Sequence, residues 1–113
     1  MIMTDMYDAL KGASLEVYLP GQAVGECRAP RILLADAGVI PHGRTLGRHV
    51  FYVTACVPFA RPIDAAGILE RARAALQSVT SVRPTGETSE GETDDTAKAY
   101  CISAEYAAMC SLT

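Results

Sequence analysis

The chain has 113 residues and a mass of 12.0 kDa, the size of one domain, and its 50% hydrophobic and 20% charged content can fill a core. Its formal charge of −3 excludes a binder of nucleic acid by bulk charge, though not a local basic patch. The longest run without Asp, Glu, Lys or Arg is the 12 residues 49–60, too short to cross a bilayer, and Met-Ile-Met-Thr-Asp lacks the basic-then-apolar pattern of a secretion signal.

A short helix is expected over 4–10. Thr4 is its predicted N-cap, Asp5 and Asp8 suit the positive end of the helix dipole, and Met3, Met6, Tyr7 and Leu10 form an apolar face that Gly12 ends. Residues 15–19 alternate before the turn pair Pro20-Gly21 and read as a short strand. Residues 31–35 form a second strand, with Pro30 at its start because proline cannot donate to a ladder. With three Gly, one Pro and no periodicity, 36–47 reads as a loop.

The strongest strand signal is 49–59, rich in β-branched and aromatic residues. Phe51, Val53, Ala55, Val57 and Phe59 share one face; Val50, Tyr52, Thr54 and Cys56 share the other. A second helix is predicted over 64–79, with Asp64 as N-cap and Ile63 stapled to Ile68. Its apolar stripe is Ala65, Ile68, Leu69, Ala72, Leu76 and Val79. Residues 84–96 carry Gly, Thr, Ser and acids without a large apolar side chain and read as a mobile acidic loop. A last strand alternates over 97–109. The expected fold is a single α/β (α+β) domain over 1–113, with a sheet of about four mostly antiparallel strands and two helices on one face.

Cys27, Cys56, Cys101 and Cys110 form no Cys-x-x-Cys pair, and neither His42 nor His49 completes a zinc spacing, so four free structural cysteines are expected, with a disulfide as the alternative. Cys110 is the one expected to be exposed. Neither a dinucleotide fingerprint nor a phosphate loop occurs, and the acids lack calcium-loop spacing. No cofactor, metal or enzymatic activity is expected. His42 and His49, beside Arg44 and Arg48, have no nucleophile or carboxylate close by in sequence and read as surface histidines.

Charge is segregated. Residues 28–73 hold seven of the ten bases (Arg28, Arg31, Arg44, Arg48, Arg61, Arg71, Arg73) against three acids. Residues 85–96 hold five of the thirteen acids and no base. A basic body that meets the acidic segment of a neighbour is one explanation, nucleic acid the other; arginine enrichment favours a subunit interface. The candidate interface residues are Arg44, Arg48, Tyr52, Arg71, Arg73, Glu90, Glu92, Asp94 and Asp95.

The N-terminal helix 4–10, the strand segment Ala29-Pro30-Arg31-Ile32-Leu33-Leu34, the long strand 49–58, the helix 64–79 and the closing Asp94-Asp95-Thr96-Ala97-Lys98-Ala99-Tyr100-Cys101-Ile102-Ser103-Ala104-Glu105-Tyr106 together resemble the small tail-terminator and minor-capsid (tail-completion) proteins of long-tailed bacteriophages. The polar stretch 86–93 departs from that pattern. The resemblance implies an α/β sandwich and a structural virion protein, assembled in the host cytoplasm. Copies would form a ring, commonly of six subunits, that ends the tail tube and meets the major tail protein and the head connector. It implies no membrane partner and no sequence-specific nucleic acid. Two other readings stand beside it: a ligand- or peptide-binding module with Tyr52, Tyr100 and Tyr106 lining a pocket, and a small enzyme using His42 or His49.

Overall fold

The β-branched run around residue 50 becomes the centre of a sheet, as its two apolar faces require. In the computed structural model, which describes residues 2–22, 25–89 and 91–111, the elements run α1 (Ile2–Gly12), β1 (Val17–Tyr18), β2 (Arg31–His42), β3 (Leu46–Pro58), α2 (Asp64–Leu76), β4 (Arg83–Thr88), β5 (Glu92–Asp94) and β6 (Ala99–Ser111). The strand order is β1-β2-β3-β6-β4, with β5 following β4 along the same edge of β6. β1–β2 is parallel, and the other pairings among the described residues are antiparallel. The α+β class is as expected, but the sheet has six strands among the described residues rather than about four.

Both helices lie on one face. Met6 and Leu10 of α1 and Ala65, Ile68, Ala72 and Leu76 of α2 pack with Ile32, Leu34, Phe51, Val53, Ala55, Val57 and Tyr106. Phe51, Val53, Ala55 and Val57 are fully buried, each large side chain contributing about 1.5–3 kcal/mol by leaving water.

Several boundaries differ from the sequence reading. Thr4 lies inside α1 rather than capping it, because the helix begins at Ile2. The first short strand pairs only at Val17 and Tyr18. At α2, Ile63 takes the cap position with helical φ/ψ and is 82% exposed, so no staple forms. The first turn is closed instead by backbone bonds from Asp64 N–H to the Arg61 carbonyl (3.1 Å) and Ala65 N–H to the Pro62 carbonyl (3.3 Å). α2 ends at Leu76, although Val79 beyond it is still buried.

The expected loop 36–47 is largely strand. β2 continues to His42 and folds back on β3 through residues 43–45, so that Pro41 faces Gly47 and His42 faces Leu46. β1 pairs only with Ile32 and Leu33, leaving β2 an open edge where proline is tolerated. The register shifts by one residue at a bulge between Asp36 and Gly38. Gly38 has φ +92°, a left-handed conformation natural to glycine, and its N–H donates to Asp36 Oδ1 at 2.8 Å.

The acidic segment is likewise not a loop throughout: β4 and β5 form the far edge of the sheet against β6. Backbone bonds to a neighbour hold polar residues there, in the place where charged edge strands are ordinarily found. Ser89 N–H donates to the Ser103 carbonyl and Ser103 N–H to Ser89 Oγ, both at 2.9 Å. Asp94 Oδ1 accepts from the N–H groups of Thr96 and Ala97, each at 3.1 Å, and so shapes the turn into β6. Gly91 passes over the Tyr100 ring so closely that a Cβ would stand 1.7 Å from its hydroxyl oxygen.

Two glycines therefore have opposite expectations. Gly67→Ala, mid-helix with open space around it, is expected to raise stability by up to about 1 kcal/mol. Gly91→Ala is expected to cost about 1–3 kcal/mol by displacing Tyr100. Denaturant midpoints of both variants check this, and equal midpoints would contradict it.

Candidate interface surface

Side chains on the sheet face away from the helices follow from the register. Arg31, Leu33 and Ala35 of β2, Ile40 beyond the bulge, the even-numbered residues of β3 and the odd-numbered residues of β6 occupy it. The chain covers one end of this face itself. Cys27, whose N–H donates to the Ala97 carbonyl at 2.7 Å, packs with Cys56, Ala97 and Ala99 and against Leu33 and Cys101. The middle is polar and internally matched. Thr54 Oγ1 and Ser103 Oγ share a hydrogen bond of 2.7 Å, and an Arg48 guanidinium N–H donates to Glu105 Oε1 at 2.5 Å.

Beyond that point the sheet outruns its helices. The β2–β3 hairpin and the end of β6 project as a three-stranded arm, on a molecule 47 Å long and 26 × 24 Å across. Ile40 (56% exposed), Leu46 (46%), Tyr52 (42%) and Met109 (57%) all lie on the open face of this arm and its base. Val39, on the helix side, is exposed too, so neither face of the arm is closed. Among the described residues, three of the seven exposed large apolar residues, Ile40, Leu46 and Met109, gather at the arm, whereas Tyr52 stands opposite Glu105 in the polar middle.

The candidate residues divide by what they touch. Arg48 is held by Glu105, Arg71 donates to the Ala13 carbonyl at 3.2 Å and ties α2 to the end of α1, and Arg73 pairs with Glu70 at 3.0 Å along α2. Asp94 serves its turn. Arg44, Glu92 and Asp95 are exposed and take no ion pair among the described residues, and Glu90 lies outside the described residues. Arg44 sits in the hairpin turn at the tip of the arm, next to the rung Leu46–Ser111. Glu92 and Asp95 sit at the other end of β6, beside the rung Asp94–Ala99. The sheet thus presents opposite charges at its two ends, separated by the length of β6, about 40 Å at 3.3 Å per residue.

His42 and His49 do not share a site. His42 is exposed near the hairpin tip, whereas His49 Nε2 lies 2.8 and 2.9 Å from the carboxylate oxygens of Asp36 and its ring stacks on Phe51 with centroids 4.3 Å apart. Asp36 is one of the three acids of 28–73, but its pairing with His49, thirteen residues away, is not visible in the sequence because only the hairpin brings them together. Burial pushes the Asp36 carboxyl up, but the Gly38 N–H and the His49 imidazole outweigh it and hold the group below its ordinary value.

The three tyrosines do not line one pocket: Tyr52 is on the open face, while Tyr100 and Tyr106 face the helices. Tyr106, with Leu69, Pro84, Ile102 and Ala104, lines a groove of about 510 Å³ between α2 and strands β4 and β6. Of the residues that the sequence did not single out, Met109 lies in the alternation of 97–109, whereas Ile40 and Leu46 lie in a stretch that shows no alternation and becomes strand by pairing with β3. Among the described residues no group of three or more His, Cys, Asp or Glu could hold a metal ion, and no helix is long and apolar enough to cross a membrane.

No family model matches the chain, and no curated protein matches it. One solved structure, of a protein without a descriptive name, is similar over 91% of this chain and 86% of its own, at 18% identity and a TM-score of 0.42.

A carboxyl whose folded pKa is depressed stabilises the fold above its unfolded pKa and loses that contribution as pH falls through the folded value. Asp36→Asn is therefore expected to be less stable than the parent at pH 6–7, with the gap closing below about pH 4. Melting temperatures across that range check it; a gap that widens in acid would contradict it.

Proposed function

We propose that this chain is a structural virion protein of a phage or prophage tail, which associates with copies of itself into a ring that terminates the tail tube and docks to the head connector. The observation that carries this reading is the projecting arm: apolar residues that the chain's own helices do not reach, with an arginine at its tip and carboxylates at the far end of the same sheet that take no ion pair among the described residues. A contact between the basic tip of one copy and the acidic end of the next is head-to-tail, and head-to-tail contacts close into rings when the rotation permits. The proposed partners are further copies, six to a ring in the resembling family, then the major tail protein on one side and the head connector on the other. Assembly would occur in the host cytoplasm and the final location would be the virion. Placement on the head side of the same joint, as a head-closure protein, uses the same surfaces.

The groove between α2 and strands β4 and β6 supports a second reading, a small module that binds a ligand or peptide. Its occupant would press on Leu69 and Tyr106 rather than on the arm.

Light scattering on the eluting protein separates the two. The ring reading expects a discrete oligomer that Ile40→Asp reduces to a monomer still folded by circular dichroism, since Ile40 is exposed in the single chain. Arg44→Glu and Asp95→Lys are each expected to weaken assembly at least about tenfold at low salt, and their combination to restore it. A monomer at several hundred micromolar, with the variants indistinguishable from the parent, would overturn the reading.

A further inference from the structure

Cys56 and Cys101 face each other directly across the β3–β6 ladder, on the sheet face away from the helices. Residues directly opposite in an antiparallel pair have Cα atoms about 4.5–5.5 Å apart, within the range of about 4.4–6.8 Å spanned by disulfides. Their side chains leave the sheet on the same side, and the two Sγ atoms are 2.6 Å apart. We propose that this pair is a redox-closable site, at which a small disulfide compound such as oxidised glutathione converts the two thiols into an intrachain Cys56–Cys101 disulfide.

The other two cysteines are placed differently. Cys27 lies in the same cluster, but its thiol is directed to carbonyl oxygens, 3.2 Å from that of Ala29 and 3.6 Å from that of Cys56. Cys110 faces Gly47 near the end of the arm, nine residues along β6 from Cys101. Access also differs within the pair: Cys56 is 2% exposed, whereas Cys101 is half-buried.

The order of events follows from that difference. The Cys101 thiolate attacks one sulfur of the small disulfide, forming a mixed disulfide and releasing the first small thiol. Cys56 then loses its proton and attacks the Cys101 sulfur; the protein disulfide forms and the second small thiol leaves. Overall two S–H bonds of the protein are oxidised, and the small disulfide is reduced to two thiols that take up both protons. Burial pushes the Cys56 thiol well above its ordinary pKa, and burial still acts once Cys101 carries the mixed disulfide. The second step is therefore the slow one and quickens as pH rises.

The test treats reduced wild-type protein with excess oxidised glutathione at pH 7 and pH 9, followed by alkylation under denaturing conditions, intact mass and peptide mapping. The expected result is a fall from four alkylatable thiols to two, a mass about 2 Da below the reduced chain, one peptide pair linking Cys56 to Cys101, and about tenfold or more faster closure at pH 9. Cys101→Ser is expected to keep all three of its thiols as thiols, while Cys27→Ser still closes. Four thiols remaining in the wild type, a stable glutathione adduct at Cys101, or a link through Cys27 or Cys110 would each overturn the proposal.

Discussion

The structure depends on the ladder of β3, which is hydrogen-bonded on both sides along almost its whole length. Period two then leaves no choice: once Phe51, Val53, Ala55 and Val57 are buried under the helices, Val50, Tyr52, Thr54 and Cys56 must point the other way. A slip of one residue would exchange the two sets, so burial of the first set fixes register across β2, β3 and β6 together. The bulge at Asp36–Gly38 is the one shift between β2 and β3, and it lies where the helix layer is about to end.

The second face is completed differently at each level of the sheet. A returning loop closes it around Cys27, Cys56 and Cys101. Matched polar groups, Thr54 with Ser103 and Arg48 with Glu105, occupy the middle without requiring a cover. Ile40, Leu46 and Met109 stay exposed at the arm, and Tyr52 at its base, with no cover among the described residues. That gradient, from self-covered to uncovered, is why the proposed assembly contacts are placed at the arm and not across the whole face.

Sequence periodicity revealed the elements that are buried on a regular face. The α2 stripe, both faces of β3 and the alternation of β6 were all legible, because packing against a single layer imposes a strict period. What was not legible was held by the backbone. β4 and β5 are polar, β4 with a Gly and a Pro, and become strands because β6 offers its edge; β2 runs on through Gly38 and Pro41 because β3 pairs with it there. The cap at Asp64 failed for a related reason, since the Arg61–Pro62 turn already satisfies the first helical N–H groups. Of the candidate interface residues, residue type alone could not separate arginines with partners in the chain, Arg48, Arg71 and Arg73, from Arg44, which is free of ion pairs among the described residues.

The central claim is that copies of the chain cover the arm. Hydrogen–deuterium exchange at low and high protein concentration tests it residue by residue. The expected result is protection that grows with concentration over 38–48 and 107–111, while the already buried amides of 51–57 stay unchanged. Exchange in the arm that is identical at both concentrations would contradict the claim.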